Sequence, residues 1–444
     1  MRIDQLSLTN FKCFGEQTFD LHPRFTLFVG DNGSGKTSIL DGLAVAASAW
    51  LRGVGASGSR PIRRQDVRVA AGFRGDGAPA AEPVTWSWEP HFPCAVQAKG
   101  EVLGHPMIWS RTLAGWHTRT SSPKEAADLE QLAMRIATQA RQDDTLLPLV
   151  ASYGVCRLCH AKPGKTRITQ PDALTDKAGM SRFAGYEPGI DGQLTAAEFV
   201  RWIARQSWIR FEQGGRQTAL LTAVQEAVVS CVPGARALAF DPGIGEVVLR
   251  FGDETIRSFN HLSDGQRAML AMVGDIARRA ATLNPHLGAD APALTPGIVL
   301  IDELDLHLHP KWQRRVAADL KRVFQRMQFV CTTHSPQILG ELSREEVRLL
   351  RDGRPGLPSV ARGADSNWIL DHVMDGAASE NTDARALRQA AEDALDDAKL
   401  AVAREHLEKL RMLIDGDTAE LVELESYLDR LERLSRIDDA EDQQ

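Results

Sequence analysis

The sequence predicts an α/β fold: a parallel sheet carrying a phosphate-binding loop, with an antiparallel β-subdomain, a helical insertion lobe and a C-terminal helical hairpin. Three observations lead there. The short apolar run "FTLFVG", Phe25 to Gly30, ends in a glycine-rich loop that opens into the helical pattern "TSILDGLAVAASAWL". A second buried-strand run, Ile298 to Ile301, ends in two adjacent carboxylates, Asp302 and Glu303. Alternating segments near the start of the chain, and helical-period segments in its middle and at its end, supply the other lobes.

The opening "RIDQLSLTNF" places Ile3, Leu6 and Leu8 in a strand-like alternation. The first helix ends near Gly53, and Val54 to Pro83 turns to Gly, Arg, Ala and Pro, which reads as a loop. "VTWSWEP" and "MIWSRTLAGWHTRT" read as antiparallel strands with tryptophans on one face. Helical periodicity covers Pro123 to Gln142 and Leu194 to Val232, and strand-like "ARALAFDPGIGEVVLRFGDETI" closes that insertion. After residue 360 the chain is charged and helical. Leu407, Leu410 and Leu413 stripe one helix and Leu421, Leu424, Leu428 and Leu431 the next, joined by "IDGDT".

Composition narrows the class. The chain has 444 residues, room for two or three domains at about 100–200 residues each. No apolar run approaches the roughly 20 residues that span a bilayer, and "MRIDQLSLTNFKCF" lacks a signal-peptide pattern, so the expectation is a cytoplasmic protein with no membrane partner. A net charge of −7 argues against wholesale coating of nucleic acid but leaves room for a local basic surface. The six cysteines are scattered. Cys156, Cys159 and His160 have the spacing of covalent haem attachment, but the absence of an export signal favours buried thiols, and no further ligands suggest zinc.

The chemistry lies in four short motifs. Gly30, Asp31, Asn32, Gly33, Ser34, Gly35, Lys36 and Thr37 match G-x-x-x-x-G-K-[ST] at every fixed position. Backbone N–H groups of such a loop turn onto phosphate oxygens, with Ser38 opening the helix behind it. Lys36 reaches the β- and γ-phosphates, and the Thr37 hydroxyl holds Mg²⁺. Asp302 would hold the same ion through water, and Glu303 would take a proton from the attacking water. "HLSDGQRAML" sets Ser263, Gly265 and Gln266 at the start of an apolar helix, a second anion site in a chain that already has a cradle. The economical solution is that it closes on ATP held by another copy. Finally, "FVCTTHSP" ends a strand at His334, where an imidazole can sense a γ-phosphate.

Taken together, "LSLTNFKCF", "GDNGSGKTS", "LSDGQR", "IVLIDELDLHLHP" and "CTTHSP" resemble, in order, the ABC-type ATPase heads of the SMC and RecF kind, a group also described as AAA-type. The resemblance implies an ATP- and Mg²⁺-dependent head in two parts, 1–115 and 236–360, around a helical insertion, 116–235, with a tail, 361–444, for interactions. It implies a homodimer around two ATP molecules, and possibly a larger assembly. Ser263, Gly265 and Gln266 then act in trans, and Asp305 and His307 communicate across the dimer. Asp264 stands where transport ATPases carry glycine, a choice of the nucleic-acid branch. The glutamine that contacts Mg²⁺ is not fixed by motif, and Gln65 in "IRRQDVR" is the candidate. "LLPLVASYGVCRL", "AGYEPGIDGQLTAAEFVRWI" and "GADSNWILDHVM" resemble the compact phage-defence ATPases of the Septu (PtuA) and retron-effector kind, which implies an HNH nuclease partner and leaves DNA or another nucleic acid as ligand.

Three rivals share parts of this pattern. A transporter ATPase has the nucleotide motifs but no charged helical tail. A self-contained ATP-gated nuclease needs a metal-binding acidic cluster, and Asp415 and Asp417 sit between leucine-periodic helices, where they read as a turn. A RecF-like repair factor without a nuclease partner has the same head.

Overall fold

The central sheet is what positions the motifs. Its parallel strands are β3 (Phe25–Gly30), β8 (Leu149–Tyr153), β12 (Gly297–Ile301), β13 (Met327–Thr333) and β14 (Val347–Arg351), in the order β14-β3-β13-β12-β8, and β15 (Arg354–Gly356) adds an antiparallel edge to β14. Every residue of β12 and β13 is buried, as is β3 up to Val29, which is why these strands read as continuous apolar runs rather than as alternations. Register then brings the motifs to one rim. Ile301 is paired with both Cys331 and Tyr153, Thr333 with Val29, and Gly30 with Leu350. The phosphate loop, the two acids and His334 therefore leave the sheet at its carboxyl edge, where open α/β sheets bind ligands.

This computed structural model describes residues 1–73, 86–120, 124–155, 181–187, 189–190, 195–351, 353–374, 382–397, 399–414 and 419–441. A second sheet, β2-β1-β6-β7, is antiparallel throughout: β1 (Arg2–Phe11), β2 (Phe14–Asp20), β6 (Cys94–Val102) and β7 (His105–Leu113). Its buried Leu6 and Leu8 meet helix α1 (Lys36–Gly53) at Gly42, where an added Cβ would lie 2.7 Å from Leu8 Cδ2. Trp109 of β7 is buried and its indole N–H donates to the Ala46 carbonyl of α1 at 3.0 Å. The side chains of Trp86 and Trp88 lie outside the described residues, and so does the question of one tryptophan face.

Two features depart from expectation. The stretch Val54 to Pro83, which reads as a loop, contains a 3₁₀ turn at Arg64–Asp66 and a strand, β4 (Val69–Phe73), paired with β5 (Trp86–Pro90). "VAAGF" is short and interrupted by glycine, so its pattern gives no strand signal. The stretch 116–235, expected to be helical, holds α2 (Lys124–Ala140), α3 (Ala196–Glu212) and α4 (Ala219–Ser230), but also β8 of the central sheet. A five-residue apolar run does not by itself distinguish a buried strand from a helix.

Beyond α4, β9 (Ala235–Asp241), β10 (Glu246–Phe251) and β11 (Ile256–Ser258) form a small antiparallel sheet, as their alternation suggests. The long α5 (Asp264–Leu283) crosses α3 closely, since a Cβ at Gly274 would fall 2.2 Å from the Phe199 ring. The short α6 (Ala291–Leu294) leads into β12. Helix α7 (Pro310–Val323) joins β12 to β13, and α8 (Pro336–Leu339) follows β13.

The chain divides into two compact units, Met1–Ser366 and Asn367–Gln444. In the second, following α9 (Ser366–His372), helices α10 (Thr382–Asp396), α11 (Leu400–Leu413) and α12 (Ala419–Glu441) share one core that includes Ala391, Leu395, Leu407, Leu410, Leu421 and Leu428. The expected hairpin is therefore joined by a third helix, whose alanines and leucines fill the stripe. Leu413, expected in that stripe, is 42% exposed. The turn holding Asp415 and Asp417 lies outside the described residues, as do Cys156 and Cys159.

Candidate functional site

The cradle is assembled from glycines that admit no side chain. Gly33 and Gly35 have φ of +82° and +98°, and a Cβ at Gly35 would sit 2.5 Å from the Phe14 ring and 2.9 Å from Cys13 Sγ. The aromatic turn between β1 and β2 thus supports the loop from beneath. At Gly30 a Cβ would lie 2.5 Å from the Leu350 carbonyl. Lys36 is folded back over the loop, its ammonium donating to the Gly30 carbonyl at 2.6 Å and the Asp31 carbonyl at 2.8 Å. Burial lowers its pKa from the ordinary lysine value, against the raising pull of Asp302, Asp31 and Glu303. Asn32 and Gly33 are exposed and Ser38 half-buried. The Ser34 hydroxyl is buried without a hydrogen-bond partner, which fits an oxygen acceptor such as phosphate.

Two residues expected to share a metal ion touch each other. The Thr37 hydroxyl donates to Asp302 Oδ2 at 3.0 Å, and Asp302 Oδ1 accepts from the Thr332 hydroxyl at 2.6 Å. Thr332 also accepts from the Glu303 amide at 2.8 Å. Glu303 has φ of +50°, a conformation costly for a residue with a side chain and held here by these contacts. Asp305 accepts from the Thr333 hydroxyl at 2.5 Å and from the His334 amide at 3.4 Å, tying the loop after the acids to the end of β13. Among the described residues no group of three or more His, Cys, Asp and Glu forms a metal cage. Thr37 and Asp302 with phosphate oxygens would suit Mg²⁺, which favours few protein ligands.

Ser263 caps α5 in a capping box: its hydroxyl accepts from the Gln266 amide at 3.4 Å and its own amide donates to Gln266 Oε1 at 3.1 Å. Ser263 is exposed and Gly265 is buried. A Cβ at Gly265 would lie 2.1 Å from the His307 carbonyl oxygen, so the start of α5 abuts the loop after the acids in the same chain. His307 is itself left-handed, at φ +56°.

Gln65 is exposed in its 3₁₀ turn. The turn belongs to a charge network that sequence reasoning missed. Asp41, one turn into α1 from Thr37, pairs with both Lys12 and Arg60, and these two also approach the buried Asp66 at 3.9 and 3.7 Å. Burial works against ionisation of Asp41, yet Arg60 and Lys12 outweigh it and hold its pKa below the usual carboxylate value. No spacing in the sequence pairs these four residues. Thr332 and Thr333 were also missed, although they stand beside His334 in "CTTHSP".

Fold and site together have the architecture of an ABC-type P-loop ATPase head. A family model described as "AAA domain" matches residues 5–89, and one described as "AAA domain, putative AbiEii toxin, Type IV TA system" matches residues 208–340. The chain is similar to the retron Ec83 probable ATPase of Escherichia coli, 26% identical over 439 residues, covering 85% of this chain and 77% of that protein. It is similar also to the Septu protein PtuA of Bacillus mycoides, 42% identical over 89 residues that cover 20% of this chain and 12% of PtuA. The solved SMC head domain from Thermotoga maritima is a distant likeness, with a TM-score of 0.44 at 16% identity over 81% of this chain and 99% of that one.

Proposed function

We propose that the chain binds and hydrolyses ATP, that two copies close around the nucleotide, and that this cycle regulates a partner nuclease of the HNH kind in anti-phage defence. One observation carries the catalytic part: Thr37 and Asp302, distant in sequence, are hydrogen-bonded at the rim of the sheet, beside the orphaned Ser34 hydroxyl. Mg²⁺ supplies charge neutralisation between the β- and γ-phosphates when bound. Lys36 exchanges its two carbonyl partners for phosphate oxygens, and backbone amides of Gly33 to Thr37 face the same charge. Glu303 accepts the proton of the water that attacks the γ-phosphorus as the bond to the β–γ bridging oxygen breaks, and His334 donates to a γ-phosphate oxygen. Ser263, Gly265 and Gln266 complete the site of the other copy, Asp305 and His307 link the two sites, and Gln65 is the glutamine assigned to Mg²⁺ and water.

The partner and the defence role rest on the likeness to the retron and Septu proteins. In this scheme residues 1–115 and 236–360 form the head around the 116–235 insertion, and 361–444 is the interaction region; nucleic acid is a ligand. Co-expression with the neighbouring genes, followed by native purification and a steady-state ATPase assay, tests both halves. Magnesium-dependent phosphate release that Glu303→Gln abolishes, with a nuclease in the same peak, supports the reading. Absence of both sinks it.

A further inference from the structure

Helix α3 buries Phe199, Val200, Ile203 and Ala204 and still carries two aromatics that its own core does not use. Trp208 is 38% and Phe211 77% exposed, with their rings edge to face at 6.2 Å. They line a cavity of about 510 Å³, with Arg210, Gln225 and Phe240 on its walls. Such a volume accommodates a nucleobase with its sugar. Large exposed aromatics around a cavity mark a recognition site rather than a packing accident.

Charge selects the ligand. Over residues 196–217 there are four arginines, Arg201, Arg205, Arg210 and Arg216, against two glutamates, Glu198 and Glu212, in a chain whose net charge is −7. Glu198 is engaged in the capping box with Thr195 at the start of the helix, and toward its far end Arg210 and Arg216 outnumber the single Glu212. There the amides of Gln213, Gly214 and Gly215 bond back to the carbonyls of Ile209, Phe211 and Arg210. The helix end therefore presents its aromatics and arginines rather than unsatisfied carbonyls that would repel an anion. Aromatic planes interleaved with arginines suit unstacked bases on a phosphate backbone, which a stacked duplex cannot offer.

We propose that the cavity formed by α3, α4 and the end of β9 is a binding site for single-stranded nucleic acid, taking an unstacked base against Trp208, Phe211 and Phe240 while Arg210 and Arg216 meet the adjoining phosphates. This deepens the nucleic-acid part of the function proposed above by giving it a place on the insertion lobe.

The test uses the full chain without nucleotide and a fluorescein-labelled 20-mer of deoxythymidine in an anisotropy titration, with a 20-base-pair duplex as the comparison probe. The expected result is preferential binding of the single strand that weakens with salt, and a loss of about tenfold or more in Trp208→Ala and in Phe211→Ala. Arg210→Gln should lower affinity and flatten the salt dependence. Phe211 is mostly exposed, so its variant should melt like the wild type, and ATPase rates without nucleic acid should be unchanged in all three. Oligonucleotide binding that is absent, prefers the duplex, or is unaffected by the aromatic variants overturns the proposal. So does loss of a co-purifying protein in those variants while oligonucleotide binding persists, because the cavity is then a protein-docking site. Failure of ATP hydrolysis alone leaves these binding outcomes to be read independently.

Discussion

The hydroxyl of Tyr153 donates to the Asp275 carboxylate at 2.9 Å, while the carbonyl of the same tyrosine accepts from the Asp302 amide at 2.8 Å. One buried residue at the edge of the sheet thus touches both the acid pair and the helix capped by Ser263. Asp275 is also bonded to Arg278 and Arg279, and Arg279 donates to the Gly189 carbonyl at 3.2 Å. Removing the hydroxyl in Tyr153→Phe leaves the packing and deletes one hydrogen bond to a buried charge. A loss of about 2 kcal/mol in denaturant unfolding is expected, together with a lower ATPase rate at unchanged ATP affinity.

The same network has a pH signature. Burial raises the Asp275 pKa, but Arg279 and Arg278, with the hydrogen bonds from Arg278 and Tyr153, outweigh it and hold the value below that of an ordinary carboxylate. A depressed folded-state value means stability that is present above the unfolded pKa, near 3.9, and lost as pH falls through the folded one. Thermal melts of wild type and Asp275→Asn should therefore converge on acidification below about pH 4 and differ at neutral pH. A constant difference across that window would place the stabilisation elsewhere.

Lys36→Ala should weaken ATP binding by about a hundredfold, since it removes two charge-assisted contacts to phosphate. The loop glycines and the strand and helix around them are untouched, so the melting temperature should stay close to that of the wild type. Calorimetry decides the matter, and wild-type affinity in a folded variant removes the cradle from the nucleotide site.

Glu303→Gln keeps the shape of the loop and loses the proton acceptor, so turnover should drop by about 10²- to 10⁴-fold. The proposed consequence is a trapped dimer with ATP, visible in size-exclusion chromatography with light scattering. Ser263→Arg adds bulk and charge at an exposed helix cap, and should leave ATP binding intact while preventing that dimer. Full hydrolysis by Ser263→Arg alone contradicts a shared site, and full hydrolysis by Glu303→Gln removes Glu303 as the proton acceptor.

Residues 367–444 carry their own core, and exposed ion pairs such as Arg404 with Glu432 at 2.7 Å join α11 to α12. Truncation after Gly363, or after Ser366 at the boundary of the unit, should preserve ATP binding and remove the co-purifying nuclease. Retention of the nuclease by the shortened chain would move its docking surface into the first unit.

The parts of the site that were legible in the sequence are those written as contiguous motifs. Gly30 to Thr37, Asp302 with Glu303, and His334 each follow a short apolar run that the motif after it marks as a buried strand, and the register of β3, β12 and β13 does the rest. What stayed hidden depends on partners far apart in the chain. Lys12, Asp41, Arg60 and Asp66 meet through tertiary packing, which leaves no periodic trace. The strand β8 is too short to announce its type, and α10 gives helical periodicity without revealing that it completes the core of the hairpin. Taken alone, Ser263 reads as an ordinary helix cap rather than a phosphate contact; within one chain the capping box is what forms.

The close approach of Gly265 to the His307 carbonyl has a consequence for how two copies behave. His307 hangs from the loop of Glu303 and Asp305, which the proposed function gives to one nucleotide site, whereas it gives Gly265 to the other. No side chain fits between them, so the two backbones are packed directly against each other. If two copies close as proposed, this packing would couple their two hydrolysis events rather than leave them independent.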